Sequence, residues 1–219
     1  QMCIRDSQAR EGGGIVLSLD PQYFHLIWQD DVGEGWETWG DVLCGGVLKE
    51  VRQLGFDRVV DFVIGVFHPV EGEKVYEITA ELVPHHTNVI LKKNGRILNA
   101  VRWVGEDKSS YRRILPGEMY KPPPPLRCIN PLELSPDDVA KRWREGKAVC
   151  GISWWLSAFE EMESGWIRRV FSALLSGELD VVVARYKGEY FFSPAGVHSV
   201  VDEVHTFSKP SPAVLFLCE

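Results

Sequence analysis

The sequence predicts an α+β protein, a mostly antiparallel sheet domain followed by a small helical domain. Three observations predict it. Strand-like runs at Val75–Val83, Asn88–Lys93 and Arg96–Val104 follow one another closely, and Asn94-Gly95 joins the last two. That dipeptide suits a two-residue type I′ hairpin, because both positions tolerate φ > 0. The meander then closes on Leu115-Pro116-Gly117 and Pro122–Pro125, which can continue neither a ladder nor a helix. Beyond the prolines, Ser135-Pro136-Asp137-Asp138 starts a helix with a serine cap, proline at the first position and acids facing the helix dipole. Domains are expected over residues 8–129 and 130–219.

In chain order, Gln1–Ser7 resembles the translation of a transposon end used in sequencing-library preparation. It is excluded from the fold reading as a scar, and the natural N-terminus is expected to be missing. Ile15–Leu19 and Tyr23–Gln29 read as a hairpin around Asp20-Pro21. The three glycines before it lack the context of a phosphate loop and read as a turn, and His25, inside an apolar run, reads as a core or surface histidine rather than a ligand. Trp36–Cys44 has helical spacing, ended by Gly45-Gly46. Val47–Leu54 and Asp57–Phe67 read as strands parted by Gly55-Phe56. The near-continuous run Val59, Val60, Phe62, Val63, Ile64 predicts a strand covered on both faces and central in its sheet.

The helix begun at Ser135 should run to about Glu145, with Gly146 ending it. Cys150–Ser153 reads as a tight turn into a second helix, Trp154–Met162, and a third spans Trp166–Leu175. Trp143, Trp154, Trp155 and Trp166 read as packing residues. Leu179–Tyr186 and Glu189–Phe192 form a hairpin around Lys187-Gly188, and Ser193–Glu219 reads as loop and short helix.

Composition is that of an ordinary globular chain: 45% apolar, 25% charged, net charge −7. No run is long enough to span a bilayer, which needs roughly 18 apolar residues. The five cysteines show no Cys-x-x-Cys spacing, so neither a metal nor a redox site is expected, and a reduced, cytoplasmic setting is the default. His85-His86 invites a metal, yet adjacent strand residues face opposite ways and no carboxylate or thiol sits at ligand spacing. Charge is unevenly distributed. Glu11–Glu50 holds eight acids and one lysine, whereas Lys92–Arg127 holds nine Lys/Arg and three Asp/Glu. A polyanion would land on that basic meander, through Lys93, Arg96, Arg102, Arg112 and Arg113. The bland reading of the same charges is a solvated strand face.

Several blocks together resemble the NFACT family, the ribosome quality-control factors whose bacterial members are called fibronectin-binding protein A-like. The blocks are Gln53-Leu54-Gly55-Phe56-Asp57-Arg58-Val59, Glu81-Leu82, His86-Thr87-Asn88-Val89-Ile90-Leu91, Gly95–Val101, and Arg113-Ile114-Leu115-Pro116-Gly117-Glu118-Met119-Tyr120-Lys121-Pro122-Pro123. The resemblance runs from about Gly14 to the C-terminus. It implies a first domain like the N-terminal domain of formamidopyrimidine-type DNA glycosylases, then a helix-hairpin-helix domain with Gly151-Ile152-Ser153 as its hairpin.

The resemblance further implies a cytoplasmic RNA-binding factor, not an enzyme, without cofactor, metal, membrane or small-molecule partner. It would bind an obstructed large ribosomal subunit carrying peptidyl-tRNA and recruit tRNA for untemplated tailing of the stalled chain. The family's tRNA-engaging Asp-Arg pair falls on Asp57 and Arg58. Its Gly-Arg-His-Ser-Asn corner reads Pro84-His85-His86-Thr87-Asn88, which makes His86 and Asn88 further candidates for RNA contact. Two alternatives stand beside this reading. A glycosylase-like enzyme would need an N-terminal proline amine beside a glutamate, and a fibronectin-binding adhesin would need an export signal.

Overall fold

The structure is a computed structural model that describes residues 2–4, 14–19, 25–29, 39–83, 85–150, 164–186, 188–193, 196 and 201–218. Two compact units make up the chain: residues 1–54 with 58–125, and residues 55–57 with 126–219.

In the first unit, β1 (Met2–Ile4), β2 (Gly14–Ser18) and β3 (His25–Gln29) form an antiparallel sheet in that order. The β2–β3 hairpin is the expected one. The excluded segment, however, contributes a strand, with Met2 opposite Leu17 and Ile4 opposite Ile15. After a single helical turn, α1 (Gly40–Leu43), comes a five-stranded antiparallel sheet: β4 (Val47–Gln53), β5 (Val59–His68), β6 (Gly72–Glu81), β7 (Asn88–Lys93) and β8 (Arg96–Ala100), in sequence order.

Period-2 patterning decides what this sheet buries. Phe62, Ile64, Tyr76, Ile78, Ala80, Val89 and Leu91 cluster on one face with Leu17 and Trp39. On the other, Ile90, Ile97, Ala100 and Ile114 form a second cluster. β5 lies between β4 and β6, inside the sheet as its apolar run predicts. Its second face is not covered by a continuous apolar layer, because Asp61 stands there and bonds Thr79 and Lys92. Asn94 (φ 52°) and Gly95 (φ 73°) adopt the left-handed conformation that the hairpin requires.

The second unit opens with a 3-10 turn, Pro131–Glu133, and α2 (Pro136–Arg144), where the Ser135 hydroxyl accepts from the Asp138 amide at 3.1 Å. Gly146, at φ 71°, follows the helix end. α3 spans Ser164–Ser176. Val139, Ala140, Val149, Val170 and Phe171 form the core that unites α2 and α3, with Trp143 packed against it. The Cys150–Ser153 turn and the Trp154–Met162 helix fall, from residue 151 on, outside the described residues, and so does the helix-hairpin-helix hairpin.

β9 (Val181–Tyr186) and β10 (Glu189–Ser193) form the expected hairpin. The tail departs from expectation: β11 (Glu203–Phe207) pairs with β9, and α4 (Pro210–Cys218) packs on this sheet through Ala213 and Phe216. Glu-Val-His-Thr-Phe hides an edge strand because Val204 points to solvent, while His205 and Phe207 lean on the Phe216 ring.

The cysteine expectation is also corrected, because Cys128 and Cys150 form a disulfide. A parallel bridge between Ile129 and Val149 brings these distant positions together, a juxtaposition that spacing alone does not reveal.

Candidate nucleic-acid interface

Antiparallel register gathers separated residues at one end of the five-stranded sheet. Val59 stands opposite Glu81, and Glu81 opposite Asn88. One step further out, the Arg58 carbonyl accepts from the Leu82 amide at 2.8 Å. Asn88 joins the last strand to this end: its side-chain amide donates to the Arg102 carbonyl at 2.8 Å, and its oxygen accepts from the Arg102 amide at 2.9 Å. Arg58, the corner residues His85 and His86, and Arg102 therefore share one sheet end, and all four are exposed. His85 holds φ 61°, uncommon for a residue with a side chain and typical of tight functional or turn positions. Asp57, next to Arg58 along the chain, is half-buried in the turn between β4 and β5.

Asn88 and Thr87 are not presented to solvent. Asn88 is 2% exposed, its oxygen also accepts from the Val89 amide at 3.0 Å, and buried Thr87 donates to the Leu19 carbonyl. Asn88 is the staple that shapes the corner, whereas His86 is what the corner displays.

The basic stretch does not form one surface. Lys93 and Arg96 flank the β7–β8 turn, at the end of the sheet opposite Arg58 and Arg102. Most of its cations are also engaged. Lys92 is buried between Asp61 (3.2 Å) and Glu77 (3.4 Å), and Lys93 lies over the Tyr76 ring. Arg96 donates to the Gly117 carbonyl at 3.0 Å, and Arg102 to that of Leu19 at 3.3 Å. Arg113 is shared between Glu106 (2.6 Å) and Glu118 (2.9 Å), and Lys121 sits 3.7 Å from the Tyr111 ring centroid. An open cleft of about 500 Å³ lies among Ser109, Tyr111, Arg113, Met119 and Lys121, so its cations arrive already paired or stacked. Of these cations Lys92, Arg112 and Arg113 are paired with carboxylates, while Lys93, Arg96, Arg102 and Lys121 keep their charge but are held by carbonyls or rings.

Behind the sheet end lies a polar cluster that charge counting does not detect. The fully buried Glu81 carboxylate accepts from Arg112 Nη1 at 2.5 Å, Arg112 Nη2 at 2.6 Å and the Tyr120 hydroxyl at 2.8 Å. Burial pushes the Tyr120 phenol up, and the Glu81 charge and hydrogen bond push it further. Burial opposes the Arg112 charge, but the bonds and charge of Glu81 outweigh it and raise the guanidinium pKa. The signal in the sequence was Glu77-x-Thr79-x-Glu81, a polar period-2 row opposite apolar Tyr76, Ile78 and Ala80. Arg112 thus anchors the 105–121 segment and is not a surface cation.

These features define a class of fold: an antiparallel five-stranded sheet closed by a loop pinned to a buried carboxylate, followed by a short capped helix. The N-terminal structure of the fibronectin/fibrinogen-binding protein from Streptococcus suis is similar in overall fold, with a TM-score of 0.69 and 18% identity over 95% of this chain and 84% of that one. The fibrinogen-binding protein from Staphylococcus aureus is likewise similar in fold, with a TM-score of 0.70 and 16% identity over 98% of this chain and 89% of that one. At these identities the likeness is one of fold.

The family model described as NFACT N-terminal and middle domains matches residues 41–153, just over half of the chain, and the chain belongs to that family. Among curated proteins it is similar to the Rqc2 homolog RqcH of Bacillus subtilis (strain 168), 33% identical over 107 residues, covering 47% of this chain and 19% of that protein. It is also similar to the Rqc2 homolog RqcH of Streptococcus suis (strain 05ZYH33), 34% identical over 95 residues, covering 42% of this chain and 17% of that protein. The matched region thus spans less than a fifth of either relative.

Proposed function

We propose that the chain is the RNA-engaging part of a cytoplasmic factor of ribosome-associated quality control. It binds obstructed large subunits that carry peptidyl-tRNA and recruits tRNA for untemplated tailing of the stalled chain. In this reading the protein positions RNA and leaves the chemistry to the ribosome, with no cofactor of its own.

The observation that carries the reading is the gathering of exposed Arg58, His86 and Arg102 at one sheet end, in a chain akin to the RqcH proteins. An arginine offers a planar fork of donors that fits a phosphate or a base edge. Asp57, its neighbour in sequence, can orient that fork or accept from a base amine or a ribose 2′-hydroxyl. His86 adds an exposed ring whose two nitrogens can donate to or accept from RNA.

The test is the double variant Asp57→Ala/Arg58→Ala in a full-length factor carrying this region. Tailing and tRNA recruitment should be lost while ribosome association survives. Tails added at the normal rate would remove the pair from the mechanism, and loss of folding would make it structural.

A further inference from the structure

We propose that Cys128 and Cys150 form a reversible redox clasp, which a dithiol reductant opens to loosen residues 131–149 while leaving the five-stranded sheet intact. The inference rests on the cytoplasmic setting of the proposed function but not on RNA contact. The two cysteines lie 22 residues apart in sequence, yet their Cα atoms are 5.1 Å apart, well inside disulfide range. They flank a parallel bridge in which the Ile129 amide donates to the Ala148 carbonyl at 2.9 Å and the Cys150 amide to the Ile129 carbonyl at 2.9 Å. The enclosed segment contains one 3-10 turn and the nine-residue α2. A helix that short is not stable alone in water and depends on tertiary support. Its support is a small core of Val139, Ala140, Val149, Val170 and Phe171, which makes covalent closure of the ring a large share of what holds it.

Access to the bond is asymmetric, because Cys150 is 8% exposed whereas Cys128 is half-buried. A thiolate of a thioredoxin-class dithiol attacks the Cys128 sulfur, and the Cys150 thiolate leaves and takes up a proton. The reductant's second thiolate then attacks its own sulfur in the mixed disulfide and releases Cys128, which is protonated in turn. Two electrons and two protons pass to the protein, and the reductant ends as a disulfide. Disulfides in reducing compartments are characteristically transient or sensing. The clasp would therefore report the thiol state of its surroundings through the order of α2.

The experiment compares the whole chain before and after treatment with reduced thioredoxin and its reductase, using alkylation mapping and hydrogen exchange. Before treatment, Cys128 and Cys150 should resist alkylation and appear as one linked peptide pair, and afterwards both should label. Amides over residues 136–150 should then exchange about two orders of magnitude faster, the loop-closure effect of a ring of this size. Those of β5–β8 should be unchanged. The double variant Cys128→Ser/Cys150→Ser should show the fast pattern with and without reductant. Labelling of both cysteines before treatment would overturn the proposal, as would a bond that thioredoxin cannot open or exchange unaffected by reduction. So would acceleration that extends through β5–β8.

Discussion

Arg112 donates through both terminal nitrogens to the two carboxylate oxygens of Glu81, a side chain without exposed surface. The pair ties the 105–121 segment to the end of β6, and Tyr120 completes it by donating to the same carboxylate. A carboxylate so deeply buried persists as a charge only because its acceptor sites are filled.

Removing one partner of that pair is therefore expected to be costly. Arg112→Ala should lower stability by about 3–5 kcal/mol, the usual penalty for stranding a buried charge. The double replacement Glu81→Leu/Arg112→Met should cost well under the sum of the single losses, because no charge is left behind. Urea unfolding at constant slope measures both. A loss below about 1 kcal/mol for Arg112→Ala would show that the pair is not as enclosed as its geometry indicates.

Tyr120 gives the molecule an alkaline limit. Its phenol is raised from 10.0 in the folded state, by burial first and by Glu81 second. The folded protein thus holds this proton more tightly than the unfolded chain does. The contribution is fully present below pH 10 and declines as the pH rises beyond it. Tyr120→Phe should flatten the stability profile above pH 10. Near neutral pH it should cost about 1.5–3 kcal/mol for a hydrogen bond to a charged group. A wild-type stability independent of pH between 9 and about 11.5 would contradict this.

Local chemistry was legible in the sequence where it stayed local. Asn94-Gly95 and Ser135-Pro136-Asp137 specify their turn and their helix start within a few residues, and both are found as read. The candidate interface was legible only in part, because the decisive partners are remote. Asn88 reads as an RNA contact until Arg102, fourteen residues on, is seen to occupy its amide. Arg112 reads as a surface cation until Glu81, thirty-one residues before it, is seen to hold it. A count of charges along Lys92–Arg127 also joins Arg96 to Arg102, which the β8 strand sets at opposite ends of the sheet. The same kind of distance conceals the pairing of Cys128 with Cys150.

The corner supports a sharp contrast between neighbours. Asn88→Ala removes bonds to Arg102 and Val89 and should cost about 2–3 kcal/mol. His86→Ala, at an exposed position, should stay within about 0.5 kcal/mol. Thermal melts of the two variants decide it, and equal losses would mean that His86 also holds the corner together.

The hairpin turn offers a backbone test. Gly95 has φ 73°, and a Cβ there would stand 3.0 Å from the Met119 Cε. Gly95→Ala should cost about 1–2 kcal/mol, chiefly for a side chain in the left-handed region, since methionine can move. Gly95→Asn should recover part of the loss, as asparagine tolerates that region better. An alanine variant as stable as the parent would show that the turn can adopt another type.

The last prediction separates the two ends of the sheet by their response to salt. Each phosphate contact contributes about 0.7–0.9 to the slope of log affinity against log salt. If RNA lies on the Arg58–His86–Arg102 end, Arg58→Ala and Arg102→Ala should each lower that slope by about this amount for a tRNA probe. The pair Lys93→Ala/Arg96→Ala, at the β7–β8 turn, should leave it unchanged. Melting temperatures must be matched across the set, because Arg102 also donates to the Leu19 carbonyl and a loosened corner would mimic lost contact. A slope that drops with Lys93 and Arg96 and not with Arg58 and Arg102 would move the interface to the opposite end. A slope indifferent to all four would leave these cations as a solvated, internally paired surface.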